Sequence, residues 1–354
     1  MKQANYNFLV LLRMMVGLGV LGVLAWSMLQ LLGGGPRPVK SLTQKIELIT
    51  PARENELSGL APQRLQEVAD VPAGLFSYGG SISWAPIRRV VNPAVQEAWP
   101  QFQLRYIEPP LGAPGSTVAI QMLLKDELSF VQSARSLTEA EFQQARQRDL
   151  TLKQVPIALD AIVVAVHPEL ALTGLTLLQL RSIYSGKLQN WRQVGGPDRQ
   201  ITPYTRAITT GGTVEQFQSQ ILAGANFGAN VRTVRDTTEA LRLIAENPGG
   251  IYYGSGATVI GQCTVKTLSL GKGPQSLIAP HLPPQITPAQ CPQQRNQVNQ
   301  EAIRSGSYPL TRRLFVIIKE NGQPDQAAGN AYAELLLSNQ GQALIESAGL
   351  TPLR

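Results

Sequence analysis

Apolar residues in this 354-residue chain recur at two spacings, and the spacing alternates from one segment to the next. Ala161 to Val166 is almost continuously apolar, the pattern of a strand buried on both faces. Phe130-Val131-Gln132 predicts a short strand ending at Val131, Ile251 to Tyr253 another, and Leu314 to Ile318 a return strand. Between these runs the period becomes helical. Thr138-Glu139-Ala140-Glu141 is a capping box that predicts a helix running to Arg148. Thr176-Leu177-Leu178-Gln179 is a second capping box, whose helix turns Leu180, Ile183 and Tyr184 inward and stops at Gly186. Thr238 to Asn247 predicts a helix halted by Pro248, and Ala327 to Ala348 predicts terminal helices. Strands alternating with helices predict an α/β fold with its sheets covered on both faces. No internal repeat interrupts the alternation.

Three predicted helix starts share one chemistry. Gly79-Gly80-Ser81-Ile82-Ser83-Trp84-Ala85-Pro86 is a Gly/Ser turn between an apolar run and a helix. Gly115-Ser116-Thr117 precedes the apolar run Val118 to Leu124. Thr209-Thr210-Gly211-Gly212-Thr213 precedes Val214 to Leu222, where Phe217 and Ile221 share a helical face. Such turns aim backbone N–H groups and hydroxyls at one spot, which suits an anion. Two readings stand. The turns are three unrelated caps, or they converge on one oxyanion, with Arg206 supplying a permanent charge that forks onto its oxygens.

Met14 to Leu32 is apolar except for Ser27 and Gln30 and reaches spanning length, and Phe8 to Leu12 extends the run upstream of Arg13. This predicts an uncleaved signal anchor over residues 8–32, with cleavage after Gly33-Gly34-Gly35 as the alternative. Charge does not orient the span, since Lys2 and Arg13 precede it and Arg37 and Lys40 follow it. Residues 33–74 form a tether rich in Gly, Pro and charge, with one short helix expected between Pro51 and Ala69, interrupted at Pro62.

The formal net charge is +7, yet no dense Lys/Arg run interleaved with aromatics occurs, which argues against a nucleic-acid partner. Gly-x-Ser-x-Gly, Walker and Cys-x-x-Cys patterns are absent, His167 falls in a predicted buried strand and His281 in a Pro-rich loop. Neither catalysis nor a cofactor is expected.

Fragments in a fixed order carry a family resemblance. They are Gly80-Ser81-Ile82-Ser83-Trp84-Ala85-Pro86, Gly115-Ser116, Ser133-Ala134-Arg135-Ser136-Leu137-Thr138, Pro156-Ile157-Ala158-Leu159-Asp160-Ala161 and Leu175-Thr176-Leu177-Leu178-Gln179-Leu180. Tyr184-Ser185-Gly186-Lys187-Leu188-Gln189-Asn190-Trp191, Val194-Gly195-Gly196-Pro197, Asn247-Pro248-Gly249-Gly250-Ile251-Tyr252, Tyr308-Pro309-Leu310-Thr311-Arg312 and Ser338-Asn339-Gln340-Gly341-Gln342 follow. From about Leu75 to its end the chain resembles the substrate-binding proteins of phosphate ABC transporters in their shorter form. The resemblance implies a two-lobe, type II periplasmic-binding-protein fold, with residues 75–157 and 310–354 in lobe 1 and 158–309 in lobe 2. It also implies a monomeric domain on the extracytoplasmic side of the membrane, inorganic phosphate as ligand and an ABC permease as partner. A phosphate sensor or interaction module of the same fold is the alternative.

Carried over residue by residue, the resemblance gives Ser83 as a hydroxyl donor, Trp84 as an aromatic N–H donor, Ser116 with Thr117 as the second turn's donors, and Thr213 as the last hydroxyl. Arg206 takes the family arginine's place with one extra residue before Thr213; Gly211 replaces a serine, leaving Thr210 and the Gly212 backbone beside it. Ala134 stands where long-form receptors have an aspartate that accepts the proton of hydrogen phosphate, which predicts weaker rejection of sulfate; Arg135 either faces the cleft or is a solvated surface arginine. The competing outcome is that Asp160, or a backbone carbonyl, takes over the acceptor's role; otherwise Asp160 is most simply a partner for Arg206. Cys263 and Cys291, the only cysteines, are expected in an exported domain to close the Pro-rich excursion Gly271 to Pro292 by a disulfide, the alternative being a zinc site for which His167 and His281 supply few partners.

Overall fold

The alternation is realised in a computed structural model that describes residues 61–208 and 212–354; the apolar span 8–32, most of the tether and Thr210 lie outside the described residues. In chain order the elements are β1 (Gly74–Gly80), α1 (Ala85–Ala98), β2 (Phe102–Tyr106), α2 (Ser116–Leu124), β3 (Phe130–Ser133), α3 (Glu139–Arg146), β4 (Thr151–Val166), β5 (Gly174–Thr176), α4 (Leu177–Tyr184) and β6 (Thr202–Arg206). After them come α5 (Thr213–Gln220), β7 (Arg232–Val234), α6 (Thr237–Glu246), β8 (Gly250–Ser255), α7 (Gly256–Val259), β9 (Lys266–Gly271), α8 (Gln300–Arg304), β10 (Thr311–Glu320), α9 (Pro324–Leu337), α10 (Asn339–Ser347) and β11 (Thr351–Pro352).

The strands join in the order β2-β1-β3-β10-β4-β8-β6-β7, with β9 and β11 also pairing with β4. Period-two burial explains why both faces are covered. On β10, Leu314, Val316 and Ile318 enter one core with Phe76, Trp84 and Tyr332, while Ile317 enters a smaller one with Ile120, Leu123 and Val131. A separate core gathers Ile162 to Val166, Tyr184, Trp191, Phe217 and Tyr253. Strand β4 passes from the first core, through Ile157 and Ala158, to this second one, through Ala161 to Val166. Asp160 therefore stands where the chain crosses between the two halves, and β10 crosses beside it, with Arg312 opposite Asp160 in the register.

Both expected capping boxes form. The Thr138 and Thr176 hydroxyls accept from the backbone at Glu141 and Gln179, and Leu180, Ile183 and Tyr184 are buried. Strand β4 begins ten residues before the predicted start at Ala161, because its first part alternates and carries Pro156. That proline sits opposite Phe315, where the register with β10 shifts, a position that tolerates a residue with no N–H. The expected helix in the tether is reduced, among the described residues, to the single 3-10 turn Leu65–Glu67. No described helix is long and apolar enough to cross a membrane.

His167 departs from expectation, lying just outside the buried strand. His167 follows β4 and is half-buried, its Nδ1 accepting from the Glu169 N–H at 3.2 Å; the strand ends one residue before it. His281 lies in the expected Pro-rich loop, between β9 and α8, where it is buried and hydrogen-bonded to Thr267 at 2.8 Å. Cys263 and Cys291 form the expected disulfide, with Cα atoms 5.7 Å apart.

Candidate functional site

The Gly/Ser turn after β1 is shaped by close packing on β3. Gly80 has φ +152°, and a Cβ there would overlap the Gln132 carbonyl, which instead accepts from the Ser81 N–H at 2.9 Å. The Ser81 hydroxyl accepts from the Ser83 N–H and starts the 3-10 turn Ile82–Trp84, which leads directly into α1. Pro86 in the first turn of α1 needs no N–H partner, and Ile87, Val91 and Val95 then pin the helix to the core at four-residue spacing. These contacts fix the Ser83 hydroxyl at the crossing.

The third turn meets the first two there. Gly212 has φ +60°, and a Cβ on it would stand 3.2 Å from Ser81 Oγ and 3.5 Å from Ser116 Oγ. Thr213 opens α5, and its hydroxyl lies 3.3 Å from that of Ser83. Ser116, at the start of α2, is fully buried and accepts from the Ala134 N–H at 3.0 Å. The three segments converge, as the second reading of their spacing required.

Arg312 and Asp160 bind this meeting point together. Arg312 donates to Thr213 Oγ1 at 2.8 Å, to Ser83 Oγ at 2.9 Å, and through Nε and Nη2 to Asp160 Oδ2 at 3.0 and 2.7 Å. Asp160 Oδ1 accepts from Ser255 at 2.9 Å, at the end of β8. The Arg312 and Asp160 side chains are each 1% exposed, so the pair sits in a low-dielectric setting where its geometry is held firmly. Asp160 thus pairs with Arg312, not with Arg206 as expected from the sequence. The reason is register: β4 and β10 place Asp160 and Arg312 side by side, whereas Arg206 ends β6, which lies beyond β8.

Arg206 is left in a different state. It is 4% exposed, its Nη1 has no hydrogen-bond partner, and it forms no ion pair among the described residues. It lines a cavity of about 140 Å³ with Ser83, Thr213, Ser255, Tyr252 and Asp236. Burial raises the Tyr252 phenol, against the opposing charge and hydrogen bond of Arg206. Asp236 caps α6; backbone hydrogen bonding from Glu239, with help from Arg235, holds its carboxyl below the ordinary range, so it is an acceptor at neutral pH. A cavity of this size suits a small oxyanion and is well below the roughly 300 Å³ at which pockets for drug-sized organic molecules begin.

The remaining sequence candidates have protein partners. Trp84 is fully buried and its indole N–H donates to the Ser133 carbonyl at 3.0 Å. Arg135 does not reach the cavity. It grips Glu141 with both terminal nitrogens at 2.9 and 2.8 Å, Glu215 through Nε at 2.7 Å and Thr117 at 2.8 Å, and Thr117 donates to Glu215 at 2.6 Å. Glu215 belongs to α5, whose Phe217 packs in the second core, while Thr117 and Glu141 lie on α2 and α3, which pack in the smaller core, so this cluster latches the two halves together. Ala134 is fully buried against the first core. Sequence reasoning missed Arg312 and Ser255 as site residues. Arg312 did lie in the quoted fragment Tyr308 to Arg312, but only the β4–β10 register reveals what it meets.

A sheet whose two connected halves close over a buried cation and a ring of hydroxyls defines a binding protein of the bilobal α/β class. The chain belongs to the PBP superfamily domain family, whose model matches residues 71–340. This is a family of substrate-binding proteins, not of enzymes. Phosphate-binding protein PstS from Staphylococcus aureus is 24% identical over 272 residues, covering 76% of this chain and 75% of the relative. Among solved structures, a putative phosphate ABC transporter substrate-binding protein with bound phosphate from Clostridium perfringens matches with a TM-score of 0.63 at 22% identity, over 79% of this chain and all of that one. An ABC-type phosphate transport receptor from Vibrio cholerae matches with a TM-score of 0.59 at 23% identity, over 78% of this chain and 99% of its own.

Proposed function

We propose that this chain is a membrane-anchored, extracytoplasmic receptor that binds phosphate and delivers it to an ABC permease. The observation that carries the ligand assignment is Arg206. A buried guanidinium with no carboxylate on it among the described residues bears a desolvation cost of several kcal/mol that an anion in the adjoining cavity offsets. Ser83 and Thr213 line that cavity, and Arg312 donates to both hydroxyl oxygens; one hydroxyl proton is shared between the two, which leaves the other to donate to the ligand. The relatives named for phosphate support the choice among oxyanions.

Asp236 refines that choice. Ala134 offers no side-chain acceptor, but the Asp236 carboxylate on the cavity wall accepts a hydrogen bond from the P–OH group of hydrogen phosphate, whereas sulfate has no proton to donate. The apolar span 8–32 serves as the anchor in this reading, keeping the domain beside its permease. The test is calorimetry on the purified chain with phosphate and with sulfate. Binding of phosphate with a preference over sulfate supports the assignment; binding of neither overturns it.

A further inference from the structure

A second, larger cavity adjoins the first. It has a volume of about 600 Å³ and meets the Arg206 cavity at Thr237, Thr238 and Thr258, which line both. One wall comes from α1 through Ala85, Pro86 and Arg89, and the opposite wall from α6 through Leu241, Arg242 and Ala245. The volume falls inside the range of about 300–1,000 Å³ that accommodates organic ligands. An isolated inorganic phosphate has no use for it.

Its chemistry is specific as well as roomy. Ala85, Pro86, Leu241 and Ala245 give an apolar lining, while Arg89 and Arg242 are exposed and join no ion pair among the described residues. The two cavities together offer one buried cation, a middle section of threonine hydroxyls, and two cations at the outer end. We infer that the site also takes a phosphomonoester with a compact organic body and a second negative charge: the phosphoryl group on Arg206, the body along the apolar walls, and the far anion on Arg89 and Arg242. The inference rests on the phosphate reading of the inner cavity and extends it outward.

Three probes separate the two claims: orthophosphate, glycerol 3-phosphate and 3-phosphoglycerate, each titrated into the full-length chain in detergent. The expected order has 3-phosphoglycerate bound most tightly. Arg89→Ala with Arg242→Ala should weaken 3-phosphoglycerate by roughly ten-fold, the loss of a charge-assisted contact, and leave orthophosphate unchanged. Ala245→Phe, which narrows the outer cavity on a half-buried helix position, should weaken both esters and spare orthophosphate. Orthophosphate binding with no competition from either ester would overturn the inference and leave the phosphate reading intact. If no probe binds, both fail.

Discussion

Replacing Arg312 with methionine removes four hydrogen bonds at once, two to Asp160 and one each to Ser83 and Thr213. Methionine keeps much of the side chain's volume, so the effect is electrostatic more than a packing defect. Asp160 is left 1% exposed, with Ser255 still donating to it. Breaking one side of a buried pair costs about 3–5 kcal/mol because the surviving charge stays desolvated. For a domain of this size a loss of 1 kcal/mol lowers the melting temperature by about 2 °C, so Arg312→Met should melt roughly 6–10 °C below the parent in ligand-free buffer. Adding Asp160→Leu removes the stranded carboxylate and should restore most of that loss, since a buried pair and an apolar replacement are often close in stability. Scanning calorimetry of parent, single and double variants reads all three values. A single variant within about 2 °C of the parent would refute the reasoning, because the carboxylate would then not depend on Arg312 for compensation.

The latch gives a test by mutation and another by pH. Glu215→Gln weakens the tie between α5 and Arg135, and with Glu215 partly exposed the loss is about 1 kcal/mol, seen as a roughly five-fold faster phosphate release in stopped flow. Burial raises the Glu141 carboxyl, but hydrogen bonds from Arg135 and Thr138 outweigh it and hold the group below its ordinary 4.5. Its stabilising contribution is therefore complete above about 4.5 and is lost as pH falls through the lower folded value, so Glu141→Gln should flatten the acid limb of melting temperature against pH; an unchanged limb counts against the latch. Replacing both cysteines with serine should cost roughly 3.5 kcal/mol by loop closure over a separation of 28 residues, read by urea denaturation, and no change in midpoint would deny the disulfide a stabilising role. Asp236→Asn should reduce the preference for phosphate over sulfate in competition binding; an unaltered preference would remove Asp236 from discrimination.

What the sequence made legible follows from range. Capping boxes and buried helical faces depend on residues three or four apart, and Thr138, Thr176, Leu180 and Ile183 behave as local chemistry dictates. The three anion-suited turns were also visible, because each is a local arrangement of Gly, Ser and Thr before a helix. Their partners were not. Asp160 and Arg312 are 152 positions apart and meet through antiparallel register, and the Glu215 that holds Arg135 is 80 positions away. Trp84 shows the converse: the resemblance implies an indole N–H donor to the ligand, but the 3-10 turn directs it inward to the Ser133 carbonyl. The charge of Arg206 is legible in the sequence, whereas its burial with an unpartnered Nη1 requires the fold.

Arsenate carries the shape and charge of phosphate and scatters anomalously, so a crystal of the protein grown with arsenate locates the anion without reference to any relative. The account predicts a single strong arsenic peak in the cavity between Arg206, Ser83 and Thr213, within hydrogen-bond reach of the unpartnered Arg206 Nη1. A peak elsewhere, or a cavity without one at saturating arsenate, would contradict the claim that Arg206 is buried to receive an oxyanion.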